Sequence, residues 1–331
     1  MMFGAIVYCQ VIKGTVYDSE TNIPIPYSAV YFTRTLIGTS SGEDGMFELD
    51  ISKYKSKPLT IRAIGYQTLI LDSILGGKHY KIFLQADSYE IEEVRVETKN
   101  LVKRRKANLK LFRREFLGTS GNQKLCKIIN EEDITFNYGS DKDTVKAFAR
   151  KPIKILNGAL GYVITYHLDM FEYYKDRNVV SFSGDIVFNE DLAVGQSNDG
   201  SYSTKREDAY LGSCMHFIRA LWNNSLKMNG FTISRFTFNV LSSGIPLSSM
   251  PNANVSYDDI VVLDNKLNKY LYNKEELSIH YGSMYSKMHF LKSEVLIGRN
   301  GFFDPSGIRW YGHMATQRVG DMLPYDYILG N

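Results

Sequence analysis

Three cysteines in 331 residues are too few for a disulfide-built scaffold, and none belongs to a CxxC pair. Cys126 and Cys214 lie far apart in the sequence, which argues against a structural zinc site. A single bridge between them remains open beside two buried thiols. No run approaches the roughly 18 apolar residues of a membrane helix. The net charge of +3 is too small to imply a nucleic-acid partner. Catalytic signatures are also missing. There is no HExxH and no G-x-S-x-G, and none of His79, His167, His216, His280, His289 or His313 starts an His-x-x-Glu pair. The sequence shows no catalytic, cofactor or metal constellation, so no cofactor is expected and each histidine reads as structural or exposed.

The aromatic content is high and uneven, with 23 Tyr and 18 Phe against two Trp and eight Pro. Such side chains fit pleated, half-buried surfaces and point to β structure. With 44% hydrophobic residues the chain can bury a sizeable core, and its length fits about two domains.

Residues 1–9 are apolar and end in Val7-Tyr8-Cys9, like the tail of a secretory signal without its basic start. This reading implies a start placed too late and a mature chain beginning near Gln10. A first apolar strand is the plain alternative. Lipidation at Cys9 is the weaker variant, because bulky Tyr8 precedes it.

Residues 10–97 read as short strands between turn signals, the pattern of a β-sandwich. Asp44-Gly45 marks a tight turn. Gly14-x-Val16-x-Asp18, Pro24-Ile25-Pro26, Ala29-Val30, Gly38-Thr39-Ser40, Asp44-Gly45-x-Phe47 and Ile64-Gly65-Tyr66 together resemble the carboxypeptidase-regulatory-like domain. The resemblance covers about a quarter of the chain. It implies a transthyretin-like, immunoglobulin-type sandwich that is non-catalytic, with small Gly14 and Ala29 letting its sheets approach. The same module precedes the plug and barrel of many TonB-dependent outer-membrane receptors, and Ile91-Glu92-Glu93-Val94-Arg95-Val96 is similar to the segment that follows it there. A barrel of about 22 strands at about 10 residues each would consume nearly all of the rest, so the receptor reading fails on length.

Composition shifts at Thr98. Residues 98–118 are rich in Lys and Arg, with Val102, Leu109, Phe112 and Phe116 near helical spacing and Gly118 as a C-cap. This basic amphipathic helix would either contact anionic lipid, giving peripheral membrane association, or show a solvated cationic face over a core stripe. Residues 119–331 read as a β-rich domain: an antiparallel meander from 134 to 188, one long helix, then further strands with a bulge at Ser234-Arg235. The helix would start at the Thr204-x-x-Glu207 capping box, run through Tyr210, Cys214, Phe217 and Leu221, and end at Gly230. Asp185, Glu190, Asp191 and Asp199 match no calcium loop and read as loop solvation. The fold class is therefore mainly β: an Ig-like, transthyretin-like sandwich followed by a larger antiparallel sheet domain with one long packed helix. The second part is similar to an unassigned region that follows the module in a group of envelope proteins. The likeness rests on Phe112-Arg113-Arg114-x-Phe116-Leu117-Gly118, Leu160-Gly161-Tyr162, Ala209-Tyr210-x-Gly212-Ser213, Phe217-Ile218-Arg219-Ala220-Leu221 and the run 317–324.

Three functions compete. The first is a non-catalytic binding or scaffold protein of the periplasm or outer envelope, with an envelope protein or a glycan or peptide ligand as partner. The second is a component of a TonB-dependent transport or secretion system, and the third is an unrecognised hydrolase. Arg309, Trp310, Tyr311, His313, Gln317 and Arg318 form the densest mixture of aromatic and polar donor groups and are the candidate ligand-binding residues. The competing reading has Trp310 and Tyr311 plugging a core and Arg318 in a structural ion pair.

Overall fold

The computed structural model describes residues 10–33, 35–52, 58–72, 74–87, 99–137, 143–149, 151–190, 201–236, 239–240, 246–247, 251–264, 268–272 and 275–330. The expectations for residues 1–9, 91–96 and 139–142 and for Asp191 and Asp199 lie outside these residues. The chain is mainly β, with 43% of the described residues in strands against 21% in helices. Contacts divide it into two compact units, residues 1–112 with 126–196, and residues 113–125 with 197–331. The module expected at 10–97 lies inside the first.

That module has two sheets. β1 (Val11–Asp18), β2 (Ala29–Tyr31), β3 (Gly38–Ser40), β4 (Met46–Asp50), β5 (Leu59–Arg62), β6 (Leu69–Leu71) and β7 (His79–Leu84) sort into the orders β4-β1-β7 and β3-β2-β5-β6. Alternation puts Ile12, Val16, Val30, Phe32, Phe47, Ile61 and Leu84 into one shared core. Gly14 is required there, since a Cβ would sit 2.6 Å from the Phe47 ring. The Asp44-Gly45 turn forms as expected, with Gly45 at φ +72° and the Asp44 carboxylate accepting from the Met46 amide at 2.9 Å. Ala29 serves differently from the expectation. Val30 and Phe32 point into the module, so Ala29 and Tyr31 point out of it and pack on Val187.

After the module come α1 (Lys99–Leu117), β8 (Cys126–Ile128), β9 (Ile134–Phe136), β10 (Thr144–Ala149), β11 (Ile153–Asn157), β12 (Tyr162–Tyr174) and β13 (Val179–Glu190). These strands form one sheet in the order β8-β11-β12-β10-β9, with β13 also paired to β12. The periodic positions 163–173 belong to a single 13-residue strand. The pairing with β13 shifts between Leu168 and Met170, and this bulge reverses the strand's phase. Ile164 and Tyr166 before it share a face with Phe171 and Tyr173 after it, while Thr165 and His167 face the other way. α1 covers the first face through Phe112, whose ring lies 4.7 Å from Phe171 and 6.3 Å from Phe136. Arg105 on the helix donates to the carbonyls of Ile134 (2.6 Å) and Glu131 (2.9 Å). The expected stripe is thus corrected at one end: Val102 is 60% exposed, and the covered side instead passes through Arg105 and Leu109 to Phe112.

In the second unit the expected single helix is two, α2 (Ser201–Tyr210) and α3 (Cys214–Trp222). Gly212 takes φ +75°, which breaks the first, and the Ser213 side chain accepts from the His216 amide to cap the second. α3 is strongly amphipathic and buries Phe217, Ile218 and Leu221. The strands that follow are β14 (Phe231–Phe236), β15 (Asn239–Val240), β16 (Pro246–Leu247), β17 (Pro251–Asn254), β18 (Val261–Leu263), β19 (Lys269–Tyr272), β20 (Leu277–Tyr281), β21 (Met284–Phe290), β22 (Glu294–Ile297) and β23 (Ile308–Gly312), with the short helix α4 (His313–Thr316) at the end. They make sheets β17-β14-β20-β21-β23 and β18-β19-β22 and the pair β15-β16. The bulge expected at Ser234-Arg235 is present. Arg219 on α3 holds the tail, donating to the carbonyls of Asn300, Tyr327 and Tyr325 at 2.9–3.1 Å. Among the described residues no helix is long and apolar enough to cross a membrane.

Candidate functional site

The outward face of β2 meets the face of the β12–β13 hairpin that α1 leaves uncovered, and a polar cluster forms there within the first unit. Tyr31 is fully buried and donates its hydroxyl to Asp185 at 2.7 Å. Its ring stacks on His167, with centroids 5.6 Å apart and planes 10° from parallel. His167 pairs directly with Asp185 across the hairpin. From β5, Arg62 forms an ion pair with Asp169, the extra residue of the bulge, and approaches Asp185 at 3.6 Å. The bulge therefore presents Asp169 to Arg62 and also keeps Phe171 under α1.

The electrostatics follow from burial. Burial holds the Tyr31 phenol well above its usual range, with the Asp185 charge adding to it. Burial is the largest influence on Arg62 and opposes its charge, but the hydrogen bond and charge of Asp169 together with Tyr31 and Asp185 outweigh it and raise the guanidinium. His167 is 6% exposed, and burial followed by the Arg62 charge pushes its imidazole down to about 4. It is neutral near pH 7 and carries one donor and one acceptor nitrogen. Its Nε2 is buried and has no hydrogen-bond partner.

Beside this histidine is an open cleft of about 130 Å³, lined by Ala29, Gly38, Thr39, Ser40, Thr165, His167, Val187 and Asn189. Gly38 sets how closely β3 approaches the hairpin. A Cβ there would lie 2.8 Å from Tyr31 Cβ and 2.9 Å from Val187 Cγ1. A hollow of about 20 Å³ on the Arg62 and Lys151 side of His167 has room for roughly one water.

The candidate tail residues occupy several different environments. Arg309 is exposed on β23, and Tyr311 is 41% exposed. Trp310 is half-buried against the second-unit core, edge-on to Phe303 at 5.6 Å and Phe217 at 6.0 Å. Gln317 donates to the Ala209 carbonyl at 3.2 Å. Arg318 pairs with buried Glu115 at 2.6 Å and also donates to its carbonyl. His313 opens α4. Indole Nε1 of Trp310, Nε2 of His313, Oε1 of Gln317 and Oδ2 of nearby Asp321 are all buried with no protein partner. Burial raises the Asp321 carboxyl even though it accepts from Ser120 (2.6 Å) and Asn122 (2.8 Å).

Sequence reasoning missed the His167 cluster. It read His167 as merely structural or exposed, and Asp185 and Glu190 as loop solvation; both carboxylates lie on β13, and Asp185 is bonded to Tyr31. One signal was available. Ala29 and Tyr31 alternate with the inward Val30 and Phe32, so a fully apolar strand needed cover on both faces. His216 is structural, accepting from the Gly212 amide and contacting Asn229, each at 3.2 Å. Cys126 and Cys214 are each half-buried. Among the described residues no three His, Cys, Asp or Glu side chains gather as metal ligands.

Residues 12–96 match the family model of the CarboxypepD_reg-like domain, a kind of module that points to regulation or binding and not to catalysis. No curated protein matches the chain. Among solved structures, a 9R-lipoxygenase from Cyanothece PCC8801 aligns over 67% of this chain at 12% identity with a TM-score of 0.18; the chain spans about half (49%) of that protein. A putative membrane-associated protein of unknown function from Bacteroides fragilis NCTC 9343 aligns over 91% of this chain and 92% of its own at 10% identity, with a TM-score of 0.17. Neither superposition is close enough to carry an argument.

Proposed function

We propose that this chain is a non-catalytic binding or scaffold protein of the bacterial periplasm or outer envelope. The observation that carries the reading is the CarboxypepD_reg-like domain at 12–96. The use the chain makes of its charges supports it. Arg62, Asp169, Asp185 and Tyr31 satisfy one another across packed strands, and Arg318 and Glu115 do the same in the second unit. Groups committed in this way fix one packing arrangement and leave neutral polar side chains to line the cleft. The tail residues around Trp310 remain a second proposed contact region.

Fractionation of cells expressing the chromosomal gene tests the compartment, with the protein expected in periplasmic or outer-membrane fractions. Recovery of the full-length chain in the cytosol would reject the envelope assignment. Affinity capture from envelope extract tests the binding role. Specific partners or glycans should be retained by the wild-type chain, and turnover of envelope peptides or glycans by the purified protein would overturn the non-catalytic assignment.

A further inference from the structure

Resting on that binding reading, we infer that the cleft between β3 and the β12–β13 hairpin is a subsite for a neutral, polyhydroxylated end group, such as the terminal ring of a saccharide. The register brings the relevant side chains to one place. Ser40 pairs with Ala29, whose side is packed on Val187. Across the hairpin Thr165 pairs with Val187, His167 with Asp185, and Val163 with Asn189, so Thr165, His167, Val187 and Asn189 share one face. Hydroxyl, amide and neutral imidazole groups each donate and accept, which is also the hydrogen-bonding character of a sugar hydroxyl. Ala29 and Val187 supply a small apolar floor for the C–H face of a ring.

Two observations point to a ligand rather than to idle surface. His167 is 6% exposed and lines both the cleft and the one-water hollow, and its Nε2 has no partner, a state that a water in the hollow or a ligand hydroxyl in the cleft would resolve. The described lining residues carry no formal charge, and the charges of the His167 cluster, Arg62, Asp169 and Asp185, are already engaged with one another. An ionised ligand would enter with no counter-charge from these residues, which is unfavourable in a half-closed site. The volume of about 130 Å³ is below the roughly 300–1,000 Å³ of sites that engulf a drug-sized molecule, so the cleft takes one ring or end group.

The test uses the full chain with ¹⁵N-labelled histidine, the His167 signal being assigned by its loss in His167→Gln. Glucose, galactose, mannose and N-acetylglucosamine are titrated to millimolar concentration beside glucuronate and triglycine. At least one neutral sugar is expected to shift His167 saturably. Thr165→Val and Asn189→Leu, both at partly or fully exposed positions, should each weaken that binding about 10-fold with unchanged melting temperature. Stronger binding of glucuronate or of triglycine would overturn the neutral-saccharide assignment in favour of an acidic or a peptide ligand. Neutral sugars that shift other residues but not His167 would remove the cleft as the site and leave the binding function standing. No response to any neutral sugar would overturn the inference outright.

Discussion

Replacing His167 with glutamine should flatten the acid limb of the protein's stability curve. The wild-type imidazole is pushed down to about 4 in the folded chain by burial and by Arg62, against about 6.5 when unfolded. Between these values the unfolded state binds the proton and the folded state resists it. The stability tied to this group is therefore complete above about pH 6.5 and falls as the pH drops towards 4. Worked through the linkage relation, the loss is about 2 kcal/mol at pH 5 and about 3 kcal/mol at pH 4, relative to neutral pH. Glutamine is neutral throughout and keeps a polar end of similar reach, so the variant should lose that much less on acidification. The assay pairs an NMR titration of the His167 ring with urea unfolding at pH 7, 5 and 4, followed by tyrosine signals of the first unit. A His167 titration midpoint near 6.5, or equal acid sensitivity in wild type and His167→Gln, would refute the buried, unprotonated histidine.

Three further outcomes test the packing. Gly38→Ala should destabilise the first unit by about 1–3 kcal/mol in urea unfolding, because its methyl would press on Tyr31 and Val187; an unchanged midpoint would mean that β3 can yield. Trp310→Ala should cost about 3 kcal/mol through lost contact with Phe217 and Phe303, whereas unchanged thermal stability with lost partner capture would identify the ring as a binding group. A fragment of residues 10–97 should unfold cooperatively on its own core, but at lower denaturant than the module within the whole chain, because Ala29 and Tyr31 lose their cover; a gradual unfolding transition would show that the module depends on the hairpin for its fold.

How much could be read beforehand depended on the range of the interaction. Local rules identified the Asp44-Gly45 turn, the described strands of the module, the alternation within 134–188 and the bulge at Ser234-Arg235, because turn chemistry and two-residue alternation act within a few positions. The expected meander is corrected, since β10 pairs with β12 and not with β11. They also marked α1, although its covered side includes Arg105 and leaves Val102 in solvent. The same rules joined α2 to α3, since a hydrophobic stripe can continue across a break. Gly212 with Ser213 is itself a local stop signal, a glycine at positive φ followed by a capping serine. For the candidate site, the residues around Trp310 could be singled out by composition, but whether each packs or faces outward could not. Arg318 finds Glu115 about two hundred positions away, and no local pattern encodes that partner.

The sequence by itself determined the mainly-β class and the CarboxypepD_reg-like module, because alternating burial and glycine turns are written in neighbouring residues. Only the tertiary structure decided where the polar chemistry gathers. Tyr31 meets Asp185 across 154 positions and Arg62 meets Asp169 across 107. Those encounters depend on a one-residue bulge that turns Asp169 to the module and Phe171 to the helix. A histidine becomes buried and unprotonated only when strands from two distant segments close over it, since burial and the field of Arg62 are properties of the packed chain and not of its neighbours in sequence.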